Sequence, residues 1–483
     1  MDTQTISTNL SIGNIGKLSK TISICLIVVF TGLVVFLQSI DLLLFAGLVL
    51  VVLPALYLMI SQPKYWIYSV LLIFPFYSQD SSFGISTSDV LIGVFYLLSL
   101  FFWLIESVLI SKKRLVLDLP DFLLITFFLF SFLTGIYTNE SETTLINWFK
   151  EFAKHSIILF YFPIRFYFMN KEDCKKVLVF FFIMIFFCDL IQIGKYYYYM
   201  KSNIVYAYQL ATSERINQIL YTTAIPAGII FMFYLKSNFM KLLFTGIIMT
   251  TIGALILTFS RTFWIMVILD IIIILFYLNN KNRLKLIIFL IFGSIAILGV
   301  TYSLFSDKFV YMTKFIEKRF SSSGDAAKDV SLKARFVEWQ EVGEQIADYP
   351  LGGQGYAKTI QFKTPIDLYV NRTGNIHNGF LFLIFRFGYP LAIMYSFLFI
   401  YGLTTSFYLT FKFNDDFYKP LSIGTFLAYF SMILTNYTSA QFFYRDSFFV
   451  TAFLLFSSSV CHIEYQRLKN NKTLITDVKE LNG

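Results

Sequence analysis

Residues 375–401 read NIHNGFLFLIFRFGYPLAIMYSFLFIY, and this stretch decides the fold. From Gly379 to Tyr401 the only charged residue is Arg386, and the run exceeds the ~20 residues a helix needs to cross a hydrocarbon core. In lipid every backbone polar group must be bonded internally, which leaves helices and closed barrels. The run is continuous rather than alternating, so it predicts a helix and not a barrel strand. Because the polar pair His377-Asn378 precedes it directly, a soluble loop ends at the lip of a membrane span.

The same pattern recurs in both directions. Spans are predicted near 21–37, 40–60, 64–78, 89–110, 121–138, 151–170, 176–194, 216–236, 240–259, 262–279, 284–304, 379–401, 420–437 and 446–463. The segments 64–78 and 262–279 are short enough to be re-entrant or strongly anchored at their ends. With 57% hydrophobic residues, 58 Phe, 31 Tyr and 14% charged residues in 483, the fold class is all-α, a polytopic helical bundle of about 12–14 spans. No repeat or low-complexity linker divides it. The expected organisation is helices over 1–304, a large loop over 305–378, helices over 379–463 and a tail over 464–483.

Charge tests these spans, because Lys and Arg concentrate in cytoplasmic connectors. Basic connectors at Lys17/Lys20, Lys64, Lys112–Arg114, Arg165–Lys176, Lys236/Lys241, Lys281–Lys285, Lys412/Lys419 and from Arg467 onward alternate with 78–89 and 138–147, which carry neither residue. Both termini are therefore expected inside. The first apolar run lacks a small-residue cleavage site and is followed at once by another span, so it is expected to stay as an anchor. Anchoring to anionic lipid accounts for the net charge of +9, and nucleic acid need not be invoked. Cys25 and Cys188 fall in spans and Cys174 and Cys461 on the cytoplasmic side, which gives neither an outer disulfide nor a metal-ligand spacing.

The loop at 305–378 is far longer than ordinary connections, which marks it as functional or folded. Within 331–348, Leu332, Phe336, Trp339, Val342 and Ile346 recur at helical spacing, with Glu338, Glu341 and Glu344 expected to turn elsewhere. Pro350 ends that helix and Leu351-Gly352-Gly353-Gln354-Gly355 follows as a tight turn, read as structural. With no preceding strand, these glycines are not a dinucleotide site.

Five arginines are expected on the outer face, where charge bias disfavours them: Arg215, Arg261, Arg335, Arg372 and Arg445. Arg261 lies in the Ser260-Arg261-Thr262 break between two spans, where a guanidinium needs a partner or water. Headgroup anchoring competes with function there, and for Arg372 and Arg445 a solvated surface is the plainer reading. Arg386 could line the same cavity or pair with a neighbouring acid. His377 is read as the outward-facing histidine, with His155 toward the cytoplasmic half and His462 closing the last span. A lone histidine is usually structural, yet an imidazole among fixed cations at a water–lipid boundary suits transfer chemistry on a phosphorylated substrate.

Ser260-Arg261 opening a span, Arg335 and Trp339 in the loop, Pro350–Gly355, His377-Asn378 and Gly388, in that order, resemble the bacterial O-antigen polymerases and O-antigen ligases. These are polytopic glycosyltransferases that use polyprenyl-pyrophosphate-linked sugars. The resemblance runs from Arg215 to about Leu391, and the chain departs from the commoner pattern at SERINQILYTTAI (213–225), which lacks a small-residue Asn motif. It implies an active site facing outward from the bacterial inner membrane, no cofactor and no metal. Asp80 and Asp89 stand well apart in the first outer loops, unlike the aspartate pairs of metal-dependent membrane oligosaccharyltransferases. Arg261, Arg215 and Arg335 would hold the pyrophosphate, and His377 would be the general base of an inverting displacement. Asn378, Arg372, Arg386 and Arg445 are candidate substrate contacts, and Asn378 could instead orient the loop. A flippase and a chain-length regulator are candidate partners. Polymerase is preferred to ligase because of the long aromatic-rich chain and the motif departure. A lipid-linked glycan flippase, with Asp189, Asp270 and Arg386 as intramembrane groups, is the rival of another class, and a scaffold for polysaccharide assembly a third.

Overall fold

The structure, a computed structural model, describes residues 64–76, 96–110 except 98, 117–137, 145–201, 217–306, 309–317 in part, 330–356, 358–363, 370–373 and 376–481. The chain divides into two compact units, Met1–Trp66 and Ile67–Gly483. The predicted spans at 21–37 and 40–60 and the start of that at 89–110 lie outside the described residues.

The described helices are α1 Lys64–Ile73, α2 Leu119–Tyr137, α3 Leu145–His155, α4 Tyr161–Phe168, α5 Lys171–Lys201, α6 Gln218–Tyr234, α7 Asn238–Leu257, α8 Arg261–Tyr277, α9 Asn280–Leu304, α10 Val330–Asp348, α11 Gly379–Thr410, α12 Tyr418–Thr435 and α13 Arg445–Leu481. By length and composition α5, α7, α9, α11 and α13 each contain a stretch able to cross a membrane, so the protein is an all-α polytopic membrane protein. Helix starts follow local chemistry. The Ser237 side chain accepts from the Met240 N–H to open α7 and Asn279 from the Asn282 N–H to open α9, as N-caps do. The predicted span at 151–170 is instead broken into α3, a 3-10 turn at Ser156–Phe160 and α4. Pro163 has no N–H to return to the Leu159 carbonyl, which disfavours a continuous α-helix there.

α13 is the axis of the bundle. It packs against α4, α6, α11 and α12, with Phe449, Ala452 and Phe456 fully buried. α11 and α12 approach closely where Gly402 meets the Tyr429 ring. α9 leaves Ile291, Phe292 and Ile295 exposed, the surface expected of a helix against lipid.

Connectors gather at two ends. At one, Lys171 pairs with Asp415 at 2.6 Å and Lys236 with Asp416 at 2.7 Å, and a cavity of about 590 Å³ opens between Lys171, Lys412, Asp415 and Arg467. At the other, the Gly379 N–H donates to the Asn436 carbonyl at 2.7 Å, and the Thr438 hydroxyl donates to that of Thr262 at 3.1 Å. The 32 residues of α11, about 48 Å of helix at 1.5 Å per residue, separate the two ends. The cavity is therefore remote from His377.

The described residues of the loop between α9 and α11 are folded. α10 lies on α11, with Val342 and Ile346 buried against Phe382 and Phe385. A feature absent from the sequence reading is an antiparallel ribbon, β1 Ile360–Lys363 with β2 Val370–Thr373, in register Ile360↔Thr373 and Lys363↔Val370. Ile360 and Phe362 alternate with Gln361 and Lys363, a strand pattern short enough to pass unnoticed.

The Pro350–Gly355 turn docks on a break in α11. Pro390 lacks the N–H that would return to the Arg386 carbonyl, and the Tyr389 N–H donates to Pro350 at 2.8 Å. The two freed carbonyls are satisfied by the turn, Phe385 by the Gln354 N–H at 2.7 Å and Arg386 by the Gly355 N–H at 2.8 Å. Gly353 and Gly388 have φ of 66° and 74°, and a Cβ on Gly388 would lie 2.2 Å from the Leu351 carbonyl oxygen. The glycines are there because two backbones meet.

Candidate functional site

His377 stands immediately before α11 and is held from α10. Its Nδ1 is 2.9 Å from Glu338 Oε2, and its own N–H donates to Glu338 Oε1 at 3.1 Å. The Trp339 indole N–H donates to the His377 carbonyl at 3.3 Å. The Glu338 side chain is 2% exposed and that of His377 56%, so the carboxylate is enclosed while the imidazole meets solvent. This corrects the reading of α10. Glu338 belongs to the inward face with Val342 and Ile346, one and two turns on, whereas Phe336 is exposed. Glu338 is the residue that sequence reasoning missed. Its place one turn before Val342 was the available signal, overridden by its charge.

Asn378 caps α11, its side-chain oxygen accepting from the Phe380 and Leu381 N–H groups at 3.0 and 3.1 Å. Gly379 follows against Asn436, which also accepts from the Phe442 N–H at 2.9 Å. The same connector reaches α8 through Thr438 and Thr262, beside Arg261. Arg261 opens α8 after a sharp turn in which Phe259 has φ of 51°, and the Trp264 indole N–H donates to the Leu255 carbonyl, tying that turn to α7 at 3.1 Å. Residues 436–438 thus bridge the starts of α8 and α11, and Arg261 and His377 share one end of the bundle. Arg335 sits one turn before Glu338 on α10, half-buried like Arg261. The N-termini of α8, α11 and α13 meet this connector, and helix N-termini carry partial positive charge.

Other candidates are placed differently. Arg386 is buried beneath the docked turn, 4.6 Å over the Phe382 ring, with Nη1 3.9 Å from Glu151. This is the pairing alternative. His155 shares a 2.9 Å hydrogen bond with the Tyr356 hydroxyl, which donates to Ser131, and it packs among Phe127, Phe387 and Phe448. His155 therefore lies under the turn at the His377 end rather than toward the lysine-rich end, held there by Tyr356, Phe387 and Phe443. Burial pushes the Tyr356 hydroxyl up, keeping it a phenol. Arg445 is buried, 5.0 Å over the Phe74 ring, which replaces the solvated-surface reading. Arg372 lies on β2 opposite Gln361, and Arg215 lies outside the described residues. Asp189 accepts from the Thr250 and Thr251 hydroxyls and Asp270 from Ser431.

Fold and site together define a multi-pass helical membrane protein with a folded loop that clamps a histidine at the end of a span. No curated protein matches the chain. Residues 246–396, about a third of the chain, match the family model described as O-antigen ligase. The match over this segment supports the O-antigen ligase and polymerase family, and an enzyme function of that type in a bilayer. The matched segment contains Arg261, Arg335, Glu338, His377 and Arg386, and excludes Arg215 and Arg445.

Proposed function

We propose that the protein is a glycosyltransferase that joins polyprenyl-pyrophosphate-linked oligosaccharide repeat units on the outer face of the bacterial inner membrane, as a surface-polysaccharide polymerase. The observation that carries this reading is an exposed imidazole at the start of α11, bridged through residues 436–438 to the start of α8 and Arg261, with His377 and Arg261 both in the segment similar to O-antigen ligases. His377 accepts the proton of the acceptor hydroxyl as its oxygen bonds to the anomeric carbon. The bond from that carbon to the pyrophosphate oxygen breaks with its electron pair, and a single displacement inverts the centre. Arg261, Arg215 and Arg335 neutralise the departing diphosphate by charge-assisted hydrogen bonds, aided by helix N-termini. No metal is required in this scheme.

Deleting the gene and resolving surface polysaccharide on a gel tests the reading. Single repeats on core are expected. Bare core with accumulated lipid-linked polymer would make the protein a ligase acting on lipid A core, and unaltered polysaccharide would refute both. His377→Ala should cut product formation by about a hundredfold or more. Product made only on adding magnesium or manganese after chelation would overturn the arginine scheme.

A further inference from the structure

We infer that Glu338 is the positioning residue of the transfer reaction, setting the tautomer and direction of His377. This deepens the function proposed above and rests on it. Glu338 makes two bonds to one residue. One oxygen accepts the His377 backbone N–H at 3.1 Å and the other faces ring Nδ1 at 2.9 Å. With Glu338 ionised it only accepts, so Nδ1 carries the proton, and in the neutral ring Nε2 keeps its lone pair. With the ring 56% exposed, that lone pair is the one available to an acceptor hydroxyl. When the hydroxyl proton reaches Nε2, the ring becomes a cation, and the Glu338 charge beside Nδ1 stabilises it as its formation is coupled to glycosidic bond making.

The clamp is built, not incidental. Glu338 is buried on the α10 face that carries the buried Val342 and Ile346, and a carboxylate is buried only at a desolvation cost that its two hydrogen bonds must offset. A loop needing only adhesion would be served by an apolar residue at this inward position. Trp339, the next residue, holds the His377 carbonyl, so α10 fixes the histidine backbone on both sides and leaves only its ring edge open.

The test uses full-length protein in membranes and, as donor and acceptor, lipid-linked oligosaccharide extracted from cells lacking the gene. Glu338→Gln removes the charge and keeps the shape. It is expected to lower kcat by about a hundredfold or more while the KM for the lipid-linked substrate stays within about twofold. In a His377→Ala background the same change should cost nothing further, since Glu338 acts through the ring. Glu338→Asp, which keeps the charge one methylene short, should recover part of kcat, and it decides the matter should Glu338→Gln fail to accumulate. An active Glu338→Gln beside an inactive His377→Ala overturns the role of Glu338 alone. An additive loss in the double variant, or a raised KM without a fall in kcat, makes Glu338 merely a loop anchor. An active His377→Ala removes the general base and this inference with it.

Discussion

Replacing Gly388 by alanine should separate the docked turn from the broken helix. At φ 74° and ψ 171° the position lies in a region that is essentially glycine-only, and an L residue there costs about 1–3 kcal/mol. The new methyl would lie 2.2 Å from the Leu351 oxygen and 2.9 Å from that of Pro350, so the turn must move away. The bonds from Gln354, Gly355 and Tyr389 to Phe385, Arg386 and Pro350 then fail together, at about 1 kcal/mol each. The sum, about 4–6 kcal/mol, is a large share of the ~5–15 kcal/mol by which folded domains are stable. Thermal unfolding in detergent followed by tryptophan fluorescence should show a midpoint several degrees lower, and limited proteolysis should cut within 349–356. Gly353→Ala, whose Cβ would lie 2.5 Å from the Arg386 carbonyl, should behave alike, whereas Gly352→Ala, with nothing within 4 Å, should be silent. Equal melting of all three variants and the parent protein would refute the docking argument.

Gly402→Ala should destabilise by about 1–3 kcal/mol through overpacking, because its Cβ would lie 2.3 Å from the Tyr429 ring. An unchanged melting midpoint would refute the close approach of α11 and α12. Arg261→Lys keeps charge but loses the planar fork, and is expected to raise the KM for lipid-linked substrate about tenfold with smaller loss than Arg261→Ala, as substrate titration in membranes would show. At the lysine-rich end, burial tends to raise the Asp415 carboxyl, but the bond from Lys171 and the N–H groups of Tyr418 and Phe417 outweigh it and hold it below the usual range. A depressed carboxylate contributes stability present above its unfolded value of about 3.9 and lost as pH falls through the folded one. Melting should therefore weaken below about pH 4, and Asp415→Asn should flatten that limb. An identical limb in the variant would sever Asp415 from the acid sensitivity.

Hydropathy alone determined that α5 through α9 and α11 through α13 exist close to where they are, because lipid leaves an apolar run only one way to satisfy its backbone. The break before Arg261, the Pro350–Gly355 turn and His377 were each legible as separate local signals, and Gly388 entered through the resemblance. What joins them was not. Helical periodicity shows that α10 has an apolar face, but not that Glu338 completes it by meeting a histidine 39 residues on. Nor could charge alternation show His155 hydrogen-bonded to Tyr356, 201 residues away. The run 379–401 reads as one span, and only the folded chain showed the break in α11 at Gly388 and Pro390 and supplied the donors for its freed carbonyls. Local pattern dictates which backbone can survive in a membrane, and the pairing of polar groups across long separations is decided by packing in three dimensions.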